Sequence, residues 1–335
     1  MKNRKSFTLI ELLVVITIIA VLAAVSIPQV IGVIQRAQDA AIRMNMRVML
    51  TEATRISILE GDLSRIHCNT GGHPDILAIC GTVRAHSPHP TQVHSSATTR
   101  TFCIQTPLHD GTFWRIDHTG FAGRDLCGYV ARWDMDEGSG TTVNDKSGNA
   151  NHGTIHGAIW RIIDGHTFLE FVARGAHVST VGGTGPNLPS AFSVEVWFYR
   201  QSGTFVMAHL ISQRYNATHG FSLTFSGDNV FGSIGHFSPH NSPGTTGWHI
   251  HTRDRWYHVI LARCSVTGIG RVWLNGVPVN MRSYHGIALN LTSPIRIMGF
   301  WGEPHAITMV RQSGLRIYDR ALTAEEVRAS FLRGR

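Results

Sequence analysis

Lysine is nearly missing from this chain: of 30 basic residues, only Lys2, Lys5 and Lys146 are lysines. The arginines are scattered, with no basic cluster of five or more. The formal charge of +8 therefore attracts anionic polysaccharide or DNA only in a general way, and nucleic acid is not an expected partner. Cysteine is scarce and odd in number (Cys68, Cys80, Cys103, Cys127, Cys264), so at least one thiol lacks an internal partner. None stands in a Cys-x-x-Cys or Cys-x-x-Cys-His arrangement, which excludes haem attachment and a zinc knuckle. No Gly-x-Ser-x-Gly elbow or phosphate loop occurs. Glycan hydrolysis needs two carboxylates on one face, yet Glu195 is the sole acid in its β-patterned segment and nothing resembles Glu-x-Asp-x-x-Glu. The chain is expected not to be an enzyme. Charge of either sign is absent from residues 12–34.

That uncharged run has 23 residues, a helix of roughly 35 Å and enough to cross a bilayer. It follows a short basic leader, Met1-Lys-Asn-Arg-Lys-Ser6, and the segment Phe7-Thr-Leu-Ile-Glu11. Glu11 is an acid at the edge of an apolar helix, where ionisation costs at least ~2.5 kcal/mol, so a cationic partner is expected. Cutting between Ser6 and Phe7 creates one, the new α-amine of Phe7. On a helix Phe7 and Glu11 share a face, and the amine of a neighbouring subunit serves equally well. An ordinary secretory signal has a shorter apolar core with its cut at the far end. The leader cations Lys2, Arg4 and Lys5 hold that end in the cytoplasm and send the rest outward.

These residues resemble the N-terminus of type IV pilins and of the pseudopilins of type II secretion, over roughly residues 2–35. The resemblance implies cleavage between Ser6 and Phe7 by a prepilin peptidase, N-methylation of Phe7, and assembly with other pilin or pseudopilin subunits through Glu11. It places the chain in the bacterial envelope, crossing the inner membrane once with its C-terminal part outside the cytoplasm, and in a filament after assembly. One departure is that the family prefers glycine where Ser6 stands. Pro28, inside the run, is the expected helix kink.

Beyond Gln35 the helix turns amphipathic. Ile42, Met46, Met49, Ala53 and Ile56 follow a 4-3-4-3 spacing beside a second stripe of Ala37, Ala41, Met44 and Val48. This broad face is expected to pack on the stalk's own globular part or on sister stalks, and Gly61 with Asp62 marks the stop. Residues 63–127 read as a loop-rich connecting region with histidines such as His86, His89, His94, His109 and His118 in polar surroundings. Within it, 101–120 reads as a hairpin turned by Asp110-Gly111. The hairpin resembles one carried by many pseudopilins, where a cysteine follows the tryptophan. Arg115 stands at that place here, so Cys127 is the substitute partner expected for Cys103. Cys68 with Cys80 would close a small loop. Strong zinc sites need further ligands at a defined distance, and the pair His249-x-His251 has no obvious Cys, Asp or Glu companion.

From residue 128 onward short β runs alternate with Gly, Asn and Pro, the pattern of a sandwich. Ser193-Val-Glu-Val-Trp-Phe-Tyr199 alternates; 256–262 is a continuous apolar strand; Arg271-Val-Trp-Leu-Asn-Gly-Val-Pro-Val279 is a hairpin with an Asn-Gly turn. Thr323-Ala-Glu-Glu326 is a capping box opening a final helix over 324–332. The tryptophans of these strands, Trp133, Trp197, Trp256 and Trp273, are expected in packing rather than on sugar.

Five features carry a second resemblance, to the laminin G and concanavalin A-like lectins. They are Trp133-Asp-Met-Asp-Glu-Gly-Ser-Gly-Thr-Thr-Val-Asn-Asp145, Lys146-Ser-Gly-Asn-Ala-Asn-His-Gly-Thr154, the Trp256 strand, the Asn275-Gly276 hairpin and Arg316-Ile-Tyr-Asp-Arg-Ala-Leu-Thr-Ala-Glu-Glu326. It implies a jelly roll that binds glycans or proteins, often with a structural calcium. Asp145, Asp136 and Asn149 are the candidate calcium ligands; the competing reading is that they cap turns. The Asp-Glu pair the family often shows before its Arg-Ile-Tyr strand is replaced by Ser313 and Gly314. No cofactor is required on this reading.

The expected architecture is α+β. A leader (1–6) precedes a pilin-like stalk helix that is transmembrane in its first half (7–62). A connecting region with a hairpin (63–127) leads to a large antiparallel sandwich (128–335). The expected function is a filament subunit displaying a glycan- or protein-binding domain; the alternative is a monomeric, membrane-tethered, lectin-like adhesin.

Overall fold

A computed structural model describes residues 9–171, 175–180, 188–200, 207–216, 219–226, 229–234, 245–249, 254–265, 268–283, 293–298 and 310–334. Ser6, Phe7 and His251 lie outside them. The chain divides into two compact units, 1–124 and 125–335.

The first unit holds α1 (Leu9–Glu60), α2 (Pro74–His86) and a four-stranded antiparallel sheet in sequential order: β1 (His94–Ala97), β2 (Phe102–Pro107), β3 (Phe113–Asp117) and β4 (Ala122–Arg124). α1 continues as one helix on both sides of Pro28 and ends at Gly61, whose φ of 67° and N–H to the Ser57 carbonyl close it. The stripe Ile42, Met46, Met49, Ala53 and Ile56 is fully buried against Ile76, Cys80 and Val83 of α2 and Ile104 and Ile116 of the sheet. The second stripe does not join this core: Met44 is 70% and Val48 49% exposed. One α2 and one small sheet cover only a single row of α1.

Residues 63–127 are therefore not a separate loop-rich region. Their larger part shares one core with the helix, and the unit boundary falls at Arg124. α2 starts where Pro74 occupies the first turn and the His73 ring accepts the Asp75 N–H. The hairpin pairs Pro107 with Phe113 and Cys103 with Asp117 around Asp110-Gly111, and Gly111 takes a φ of 79°. Asp39 of α1 anchors it, accepting the His109 backbone N–H at 2.9 Å and facing its Nδ1 at 2.8 Å. Cys68 and Cys80 are disulfide-bonded, with Cα atoms 5.6 Å apart.

The second unit is a sandwich. Its strands, in chain order, are β5 (Tyr129–Trp133), β6 (Thr142–Val143), β7 (Gly153–His156), β8 (Ile159–Ile163), β9 (His166–Phe171), β10 (His177–Thr180), β11 (Phe192–Arg200) and β12 (Met207–Asn216). They continue as β13 (His219–Ser226), β14 (Asn229–Ile234), β15 (Thr245–His249), β16 (Arg255–Arg263), β17 (Ile269–Leu274), β18 (Val277–Ser283), β19 (Ile295–Ile297) and β20 (Val310–Tyr318), before the helix α3 (Ala324–Arg333). Sheet I runs β18-β17-β16-β11-β20-β9-β8, with β5 also paired to β20; sheet II runs β15-β14-β13-β12-β19-β10-β7-β6. Trp133, Val194, Val196, Phe198, Val259 and Ile317 of sheet I meet Ile211, Phe221, Leu223 and Ile297 of sheet II in one core. Asn275 and Gly276 turn β17 into β18 with φ of 51° and 78°, the two positive values a two-residue hairpin requires. α3 opens with the expected capping box, Thr323 and Glu326 each accepting the other's backbone N–H.

Candidate functional site

The first site is the exposed apolar half of α1. Leu9, Ile10, Val21 and Leu22 are 79, 73, 64 and 61% exposed, and the uncharged run contributes nothing to the unit's core. Its two hydroxyls satisfy themselves on the helix: that of Thr17 donates to the Val14 carbonyl and that of Ser26 to Leu22, each at 2.8 Å. The helix is long and apolar enough to cross a membrane. Glu11 is exposed on this same surface, where its charge must be met in any low-dielectric setting.

The second is the 134–151 loop that holds the candidate calcium ligands. Asp145 is buried, and its carboxylate is filled by protein donors. Oδ1 accepts the N–H groups of Arg132 and Ser147, both at 2.9 Å; Oδ2 accepts the Ser147 hydroxyl at 2.8 Å and the Asn151 N–H at 2.9 Å. Asp136 is held by the Lys146 ammonium at 2.6 Å, which also lies 3.5 Å from Asp134. The Asn149 amide donates to the Tyr129 and Val130 carbonyls. Burial would raise the Asp134 carboxyl, but Arg132, Arg316 and Lys146 hold it below its ordinary value. This donor set does not fit calcium: its best carboxylate has four donors already, and a lysine stands between the other two acids. The three residues are loop organisers and are not brought together as ligands. Among the described residues, no group of three or more His, Cys, Asp or Glu is placed to hold a metal ion.

The third feature is a charge cluster between sheet I and α3. Glu195 of β11 is fully buried on the face opposite Val194 and Val196. Its Oε1 accepts Ser330 at 2.7 Å, Arg316 and Arg333 at 3.1 Å, and the His258 Nε2 at 3.2 Å; Oε2 accepts the Tyr318 hydroxyl at 2.5 Å. Burial alone would raise the Glu195 carboxyl, but Arg316 and Arg333 hold it well below the usual range. Burial pushes His258 below its ordinary value, although Glu195 pulls the other way, and raises Tyr318 well above its own. Arg333 also reaches Asp125, and Phe331 stacks on Trp197 at 6.0 Å, so the cluster pins α3 to the sheet. The lone acid of its strand thus closes the fold. Its partners lie 63 to 138 residues away, out of reach of any local motif. Trp133 is fully buried and Trp197 and Trp273 nearly so, in packing as expected.

Residues 1–27 match the prokaryotic N-terminal methylation motif, and residues 174–328 match the concanavalin A-like lectin/glucanases superfamily. The type IV wide pilus major component PilA4 of Thermus thermophilus is 32% identical over 114 residues, covering 34% of this chain and 81% of that protein. Among solved structures, the binding domain of botulinum neurotoxin serotype D superposes with a TM-score of 0.50 at 11% identity, over 62% of this chain and 52% of that one. The receptor binding domain of the botulinum neurotoxin C/D mosaic serotype gives 0.51 at 12% identity, over 62% and 51%. The chain spans about half the length of these toxin domains, and the likeness is one of fold.

Proposed function

The chain belongs to the type IV pilin family, and we propose that it works as a non-enzymatic filament subunit that carries a concanavalin A-like sandwich outward as a binding domain. Support comes first from the exposed apolar half of α1, a surface no soluble unit keeps without something to bury it. On this reading a prepilin peptidase cuts between Ser6 and Phe7, the Phe7 amine is methylated, and α1 waits in the inner membrane until it packs among sister stalks. Glu11 then meets the Phe7 amine of its own or the preceding subunit. The exchange from lipid to helix bundle keeps the apolar run dry and neutralises the acid in a low dielectric, where an unmatched charge is most costly.

Glu11→Ala is expected to leave the protein in the membrane fraction, with leader removal intact by mass spectrometry, while abolishing its recovery in sheared filaments. Recovery at wild-type level would sink the charge-matching account; an uncut Met1 terminus in the wild type would sink assembly altogether. Support for binding rather than hydrolysis comes from the sandwich's two buried sheet acids among the described residues: Glu195 is committed to Arg316, Arg333 and Tyr318, and Glu170 to Arg161. A disulfide between Cys103 and Cys127 belongs to this proposal and is read out by non-reducing peptide mapping.

A further inference from the structure

The first unit begins to cover α1 at a definite place. Asp39 is the first buried residue of the helix, and every described side chain before it is exposed or half-buried. The hairpin of β2 and β3 runs along the helix down to that place. Its open end lies near the far end of α1, where the Leu63 N–H donates to the Thr99 carbonyl at 3.2 Å. Midway, Ile104 and Ile116 share the core with Ile42, Met46 and Met49. The tip meets Asp39 through the backbone N–H and the ring of His109. The tip therefore points along α1 toward its apolar half. Asp110, Gly111 and the neighbouring Arg124 are exposed there, and Arg124 donates to the Asp110 carboxylate at 2.5 Å and to the Thr112 hydroxyl at 3.2 Å.

An ion-paired tip of this kind does not enter hydrocarbon, but it suits the layer just above it. Ile34, the last residue of the uncharged run, lies about 7.5 Å below Asp39, and a headgroup layer is about 5–7 Å deep on each side of a bilayer. Arg36, exposed on α1 with its Nε held by the Gly32 carbonyl at 3.0 Å, falls within that layer. The other end of the helix follows from the same rise. From Asp39 to Glu11 α1 extends about 42 Å, or about 40 Å at an ordinary tilt of ~20°. A bilayer with its headgroups is about 40–45 Å thick. A helix seated at Asp39 thus puts Glu11 among the headgroups of the opposite leaflet, outside the hydrocarbon.

We propose that the hairpin tip (His109, Asp110 and Gly111, with Arg124 and Arg36 beside it) is a seat on phospholipid headgroups, and that it holds Glu11 at the level of the cytoplasmic headgroups until the subunit leaves the membrane. The proposal rests on the membrane stage of the reading above and deepens it. Arg36 takes a lipid phosphate as a planar fork, while the tip lies on the headgroup surface. Glu11 is hydrated while the subunit waits, and the demand for the Phe7 amine arises on extraction, when the acid exchanges headgroups for a helix bundle.

The test uses the full-length wild-type chain in bilayer nanodiscs of phosphatidylethanolamine and phosphatidylglycerol, open on both faces and doped with a lipid whose headgroup is photoreactive. After illumination, peptide mapping is expected to find at least about tenfold more lipid adduct on residues 108–112 than on 58–60, which begin about 28 Å beyond Asp39 along α1. Ile58 and Leu59 are 79 and 68% exposed, so burial does not shield that control. In the same nanodiscs a water-soluble carbodiimide is expected to modify Glu11 at least about tenfold faster than a membrane-partitioning one, and to lose that advantage in filaments. Equal adduct on the two segments, or modification of Glu11 by the membrane reagent alone, overturns the proposal. Filaments that need Glu11 while the tip takes no adduct sink this inference alone; adducts as expected in a chain whose filaments survive Glu11→Ala sink the charge-matching account alone.

Discussion

The strands of the two sheets carry charge in different ways. Under α3, sheet I brings Glu195 together with Arg316, Arg333, His258 and Tyr318, and every charge is answered inside the chain. Sheet II has no acid on its strands and sets Arg296 in a row of hydroxyls. The first arrangement uses ionic groups to lock an element in place; the second lines its strands with hydroxyls around a guanidinium and carries no strand acid. The difference teaches that a buried acid in a lectin-like fold is no signature of catalysis unless its neighbours leave it something to do.

The comparison breaks most visibly at Glu195. Glu195→Gln leaves the buried Arg316 and the half-buried Arg333 facing a neutral amide and should cost about 3–5 kcal/mol, read by denaturant unfolding. A cost under about 1 kcal/mol would mean the cluster is not what holds α3. An intermediate effect comes from pH. Glu195 and His258 both bind protons less readily in the folded chain than their ordinary values of 4.5 and 6.5, so the unfolded chain gains protons first as pH falls. Their contribution is complete above about pH 6.5 and declines below it, first through His258 and then, under about pH 4.5, through Glu195. Thermal midpoints should therefore fall with acidification, and the fall between pH 7 and 5 should shrink in His258→Gln. The smallest effect belongs to sheet II: Thr142→Ala, at an exposed end of the row, should move stability by no more than about 0.5 kcal/mol. A larger change there would show that the row is structural.

Much of the fold was legible before any coordinates. The 4-3-4-3 stripe from Ile42 to Ile56 is the buried face of α1, Asn275-Gly276 turns its hairpin, and Thr323 with Glu326 caps α3, because each signal acts within a few residues. α2 was hidden: Gly81 and a short apolar repeat dilute its periodicity, and the buried face of α1 that completes it lies upstream, beyond the reach of any local pattern. Asp145 read as a ligand because acids and asparagines crowd its loop; only the folded loop shows four protein donors converging on it. Met44 and Val48 read as a second packing stripe, yet too little chain covers α1 for both rows to be buried.

By itself the sequence determined the long apolar helix with one acid near its start, the order of strand-forming segments and their turns, since these follow from local periodicity, φ preferences and transfer from water. Tertiary structure alone decided which distant groups meet. Glu195 found its arginines, and hydroxyl residues of neighbouring strands fell into one row with Arg296, because strand register is fixed by burying the opposite face and polar side chains are carried wherever that burial puts them.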